Sequence, residues 1–255
     1  MKAGLVLRLA VLTAACGSSR PPRFQAAAPV SEPSPADDAK YRVTLGHDVV
    51  TYEGPLDAAG VAELRRAGPG VTLLRIRSSG GDVDLGMDLA EWVIERRLDV
   101  LVLDHCLSSC ANYVFPAGRK KIIAPGAVVG WHGSARQTNM PEQLEAALAA
   151  LHAKDPGLDV DEVRATLAEY MKRVIARQDA FFARIGVHEC VTRIGQLRLG
   201  APGLFTMSVA DMARFGITDV ARGPASERDL APAIRERTGV TFVRVGALDP
   251  ATACD

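Results

Sequence analysis

Val71-Thr72-Leu73-Leu74-Arg75-Ile76-Arg77, running into Ser78-Ser79-Gly80-Gly81-Asp82, decides how this chain folds. The first part is β-branched and alternating, the pattern of a half-buried strand. The glycine pair stops it, and Asp82 is placed to cap a helix whose apolar positions are Leu85, Leu89, Trp92, Val93 and Leu98. Asp99 to Leu103 then reads as a second apolar strand. A helix follows over Ala111 to Phe115, stopped by Pro116 and Gly118, and strands follow over Lys121–Ile123 and Ala127–Trp131. Upstream, Tyr41–Leu45 and Val49–Tyr52 look like short strands, and Leu56–Ala67 has helical spacing. Alternation of strand and helix predicts a layered α/β fold with parallel strands.

The flanks read differently. Between Pro141 and Ile185 the pattern is purely helical, with capping-box spacing at Asp159-Val160-Asp161-Glu162. Val163, Leu167, Tyr170, Met171, Val174 and Ile175 form one long apolar face there, suited to a core or a subunit interface. Leu204–Met207 and a helix over Ser208–Phe215, capped by Gly216, return to the domain. At the N-terminus, Lys2 precedes an apolar run from Ala3 to Ala15 broken by Arg8, which reads as an export signal. Leu12-Thr13-Ala14-Ala15-Cys16 resembles a bacterial lipobox, so Cys16 is the expected lipidation site, with plain secretion as the alternative. The expected organisation is a signal over 1–16, a Pro/Ala/Ser-rich disordered linker over 17–40, a domain over 41–220 and a polar C-terminal tail over 221–255 with a strand-like Val240–Val245. The expected location is the periplasm, tethered to the outer membrane through the lipid.

Thirty basic residues balance thirty acidic ones in a chain of 255, so nothing in the charge calls for a nucleic-acid partner. No apolar run in the body is long enough for a membrane span, which leaves the lipid as the membrane contact. In an oxidising compartment Cys106, Cys110, Cys190 and Cys254 are disulfide candidates. Four cysteines allow three connectivities, of which Cys106–Cys110 with Cys190–Cys254 is favoured; the second pair would tie down the tail. His105, Cys106, Cys110 and His132 match no common zinc spacing, so neither a metal nor a cofactor is expected. His47, His152 and His188 have no companions and read as structural.

The chemistry-bearing stretch is Cys106-Leu107-Ser108-Ser109-Cys110-Ala111-Asn112-Tyr113, with Gly130-Trp131-His132-Gly133 downstream. A serine at a sharp turn before a helix presents its hydroxyl freely, while the next amide points into the same space. Both Ser108 and Ser109 fit. His132, at a strand end, is the candidate base, and Gly80-Gly81 permits close backbone approach to a substrate.

The order glycine pair, serine before a helix, histidine resembles the Clp protease proteolytic subunit, with the signal peptide peptidase A and crotonase families as wider relatives. The likeness extends to the closing Phe205-Thr206-Met207-Ser208-Val209-Ala210-Asp211-Met212-Ala213-Arg214-Phe215-Gly216-Ile217-Thr218-Asp219. It implies a ClpP/crotonase-like layered α/β fold of repeated β-β-α units with a helical insertion. It also implies a serine hydrolase acting on peptide or protein substrates, and assembly into homo-oligomers. Spacing to Ala117-Gly118 carries the nucleophile onto Ser109, whereas the cysteine–x–serine–x–cysteine pattern of exported relatives points to Ser108; Ser109 is preferred. His132 becomes the general base, and the N–H groups of Gly81 and Cys110 the oxyanion donors. The family's aspartate is missing: the region reads Gly200-Ala201-Pro202-Gly203-Leu204, leaving Asp104, Asp159 and Asp219 as unranked substitutes. That gap supports a second reading, a catalytically inactive binding or assembly module. A crotonase-type acyl-CoA enzyme is the third, disfavoured by export.

Overall fold

In the computed structural model the described residues are 40–255, except 138–139, 201–202, 224–226 and 254–255, and they fall within one unit of the chain, Ser34–Asp255. The expected signal, the linker and the lipidation site Cys16 lie outside them, as does Cys254.

A seven-stranded sheet organises the unit. Its order is β1 (Arg42–Leu45), β2 (Val49–Glu53), β3 (Leu73–Ser78), β4 (Asp99–Leu107), β5 (Lys121–Ile123) and β8 (Val220–Arg222), with β6 (Val128–Gly130) also on β4. The β1–β2 hairpin is antiparallel and every other pairing in this sheet is parallel. Alternation puts Val50 and Tyr52 of β2, and Leu74 and Ile76 of β3, into the core. The helices α1 (Ala58–Leu64) and α2 (Val83–Arg96) make the crossovers the sequence predicts. Asp82 caps α2 by accepting from the Leu85 amide, and Arg97 ends it in the left-handed conformation.

The central strand β4 is the one that shapes the site. Its first half pairs with β5 (Val100↔Lys121 to Val102↔Ile123), and its second half pairs with β6 (His105↔Val128 to Leu107↔Gly130). On the other side, Ile76 pairs with Val102 but Ser78 pairs with Cys106, so β4 carries extra residues there. Such a bulge bends a strand and re-aims its end. The end it re-aims is Leu107-Ser108.

The helical insertion is α4 (Met140–Lys154) followed by α5 (Val160–Ile185), whose N-cap Asp159 accepts from the amides of Asp161 and Glu162. Of the apolar face expected on α5, Val174 is buried, Tyr170, Met171 and Ile175 are partly buried against the core, and Val163 and Leu167 are half-buried; Phe181 and Phe182, further along the helix, are core. Arg177 pins α5 to α2 through Asp84, Asp88 and Glu91. Beyond a short helix α6 (Ile194–Leu197) come β7 (Phe205–Thr206) and α7 (Val209–Arg214). The segment read as a tail packs with the rest: after β8 come α8 (Glu227–Thr238), β9 (Thr241–Phe242) and α9 (Pro250–Ala253). Strand β9 pairs with β7, and Ile234, Val240, Val243 and Val245 are buried. No helix among the described residues is long and apolar enough to cross a membrane.

Candidate active site

Ser108 sits directly after β4 with φ +54°, a conformation that non-glycine residues rarely adopt. Its own amide donates to Gly130 O at 2.9 Å and its carbonyl accepts from the Asn112 amide at 2.8 Å. The chain therefore turns sharply between strand and helix, and the Ser108 hydroxyl projects from the corner. There it meets His132: Nε2 lies 2.7 Å from Ser108 Oγ. Ser108 is half-buried and His132 exposed, so the pair faces solvent.

Ser109 is placed differently. It is buried, and its hydroxyl donates to Gly81 O at 2.8 Å. The histidine thus contacts Ser108, the serine that spacing did not favour. The cause is the helix that follows. Cys110–Val114 is a π-helical turn, with the Phe115 amide donating to Cys110 O, before α3 (Phe115–Ala117) begins. A π turn accommodates one residue more than an α turn. Counting back from Ala117-Gly118 at ordinary spacing therefore stops one residue short of the corner, at Ser109 rather than Ser108.

The glycine loop presses against this corner. A Cβ on Gly80 would lie 2.6 Å from Leu107 O, 2.7 Å from Ser108 Cβ and 2.9 Å from Ser109 N, and the residue has φ +91°. Only glycine fits. Gly81 follows with φ +151° and is exposed. Among the described residues no acceptor engages the backbone N–H of Gly81, Ser109 or Cys110.

Disulfide linkage of Cys106 to Cys110 closes a small ring around Leu107-Ser108-Ser109, as the sequence suggested. Cys190 is also disulfide-bonded, while its expected partner Cys254 lies outside the described residues. Among the described residues no group of histidine, cysteine and carboxylate side chains is arranged to hold a metal.

His132 is held through its backbone. Gln196 Nε2 donates to His132 O at 2.8 Å, Asn112 Nδ2 donates to Gly133 O at 2.9 Å, and the Gly133 amide donates to Thr192 O at 2.8 Å. Trp131, fully buried on Phe205, adds an indole bond to Ala111 O at 3.2 Å. Among the described residues no carboxylate bonds the His132 ring. Of the substitutes considered, Asp104 bonds the His105 ring at 2.7 Å and pairs with Arg237, Asp159 caps α5, and Asp219 lies beside Thr218 and Lys121. Asn112 and Gln196, which hold the backbone on either side of His132, carry no local signal in the sequence, because their bonds reach segments far away along the chain.

No family model and no curated protein matches this chain. Solved structures that overlap part of it include an enoyl-CoA hydratase from Mycobacterium avium subsp. paratuberculosis (TM-score 0.29, 16% identity, 35% of this chain and 46% of that one). A putative enoyl-CoA hydratase from Rhodopseudomonas palustris overlaps at TM-score 0.28 and 12% identity, over 36% of this chain and 49% of that one. One from Shewanella pealeana overlaps at TM-score 0.27 and 10% identity, over 37% and 51%. The chain spans about half the length of these enzymes. An overlap this partial carries no argument about membership or activity.

Proposed function

We propose that the chain is an exported serine hydrolase of the ClpP/crotonase type, acting on peptide or protein substrates with Ser108 as nucleophile and His132 as general base. The observation that carries this reading is the 2.7 Å contact between His132 Nε2 and a Ser108 hydroxyl held at a φ of +54°. In the proposed reaction Ser108 Oγ attacks the scissile carbonyl carbon as its proton passes to His132 Nε2. The negative charge that develops on the carbonyl oxygen meets the N–H groups of Ser109 and Gly81, so Ser109 takes the donor role first given to Cys110. The tetrahedral species collapses, and His132 returns the proton to the leaving amine. A water molecule then attacks the acyl-enzyme, losing its proton to His132, and Ser108 leaves reprotonated.

The Ser109 hydroxyl supports this arrangement in a second way. By bonding Gly81 O it ties together the two segments that supply the oxyanion donors. Location rests on the lipobox-like Cys16 and on the disulfide at Cys106–Cys110, a bond that persists in oxidising compartments. One observation favours the second reading, a non-catalytic binding or assembly module: no carboxylate among the described residues orients His132. Loss of such an orienter costs a serine hydrolase on the order of 10⁴ in rate.

Fluorophosphonate labelling of the whole exported chain separates the two. Wild type labels, with fluoride leaving as Ser108 Oγ bonds phosphorus; Ser108→Ala and His132→Ala do not; Ser109→Ala still labels, more slowly. A folded wild type that neither labels nor cleaves peptides favours the binding module.

A further inference from the structure

Gln178, near the end of α5, is completely buried, an unusual place for a primary amide. Burying such a group is costly unless each polar atom finds a partner, and here both do. Its Oε1 accepts from the Tyr113 hydroxyl at 2.7 Å and from the Ala135 amide at 3.3 Å, and its Nε2 donates to Ser134 Oγ at 3.4 Å. The partners come from the two arms of the candidate site. Tyr113 lies in the π turn that follows Ser108, and Ser134 and Ala135 lie in the loop that follows His132.

The surrounding groups hold the bracket rigid. Ser134 Oγ donates to Glu189 Oε1 at 2.6 Å and accepts from the Arg136 amide at 3.2 Å, while Glu189 is itself fixed by Arg193 and Thr192. The next residue on α5, Asp179, takes the Arg136 guanidinium with both carboxylate oxygens. Tyr113 is packed on Phe181 and Phe182, and burial pushes its phenol well above the ordinary range, so it stays a neutral donor.

We propose that Gln178 is a positioning residue through which the helical insertion sets the approach of His132 to Ser108. The proposal rests on the Ser108–His132 reading and adds a residue that never touches substrate. Errors of about 1 Å in such a pair are enough to cost roughly a hundredfold in rate, so a bracket joining both arms is felt at the chemical step.

The test is fluorophosphonate inactivation of the full chain, resolved into a saturation constant and a limiting rate constant. Gln178→Leu removes the bracket, and Tyr113→Phe removes one hydroxyl while keeping the ring on Phe181 and Phe182. Both should lower the limiting rate constant, by roughly ten- to a hundredfold for Gln178→Leu, and leave the saturation constant unchanged. Gln178→Glu, kept protonated by burial and so able to donate and accept, should recover most of the loss. The proposal is overturned if folded Gln178→Leu inactivates at the wild-type rate, or if both constants move together without rescue by Gln178→Glu. Should Gln178→Leu not fold, Tyr113→Phe decides: an unchanged limiting rate constant overturns the proposal. A wild type that does not label at Ser108 contradicts the hydrolase reading itself, which keeps the two failures distinct.

Discussion

Ser108 pays about 1–2 kcal/mol for its left-handed backbone, and the structure around it must supply that. The glycine loop is part of the supply. A methyl on Gly80 would strike Leu107 O, Ser108 Cβ and Ser109 N, all of them fixed atoms with no flexible side chain to give way. Gly80→Ala is therefore expected to lose about 2–3 kcal/mol of stability and to abolish labelling, checked by urea unfolding and by fluorophosphonate uptake. Wild-type labelling in that variant would show that the corner does not depend on the loop. At this scale the sequence was informative to within one residue. It located the corner, the histidine and the glycine pair. It preferred Ser109 to Ser108, the serine that His132 contacts, because a positive φ on serine leaves no mark on composition and the π turn breaks the ordinary spacing to Ala117-Gly118.

The element that follows shows why the corner persists. Cys106 belongs to β4, paired to both Ser78 and Val129, and Cys110 opens the π turn. Their disulfide thus fastens strand to turn on either side of Ser108. A ring this short is expected to contribute about 2 kcal/mol. The Cys106→Ser, Cys110→Ser double variant should lose about that much stability in urea unfolding and label more slowly. Labelling at the wild-type rate would mean that the π turn holds the corner unaided. Helix elements with local signals were legible: Asp82 and Asp159 cap their helices as their positions predict. Gln178 was not, since a glutamine on a helix reads as a solvent-facing residue until its partners on other segments are known.

Across the whole molecule, the least legible part was the C-terminal segment. Strand β8 is three residues long, too short for any period to register, and its partner β5 lies far away in sequence; β9, two residues within the strand-like Val240–Val245, pairs with the distant β7. The contacts are nonetheless specific. Arg237 of α8 pairs with Asp104 of β4 and donates to Gly126 O at 2.9 Å. Burial of Asp104 works against its ionisation, but the bond from His105 and the Arg237 charge prevail and hold its carboxyl below its ordinary value of 3.8. A depressed folded-state value means that this contribution is present above the ordinary value and is lost as pH falls through the folded one. Thermal melts should therefore show a loss of stability on acidification below that range which Asp104→Asn reduces; an identical acid profile in Asp104→Asn would contradict it.

Everything proposed for this site turns on Ser108, activated by His132, being the nucleophile. The most direct test is peptide mapping of the fluorophosphonate adduct on the wild-type chain, with fragmentation between the adjacent serines. A single adduct on Ser108 that disappears in His132→Ala is expected. An adduct on Ser109, or none on a folded chain, would contradict it.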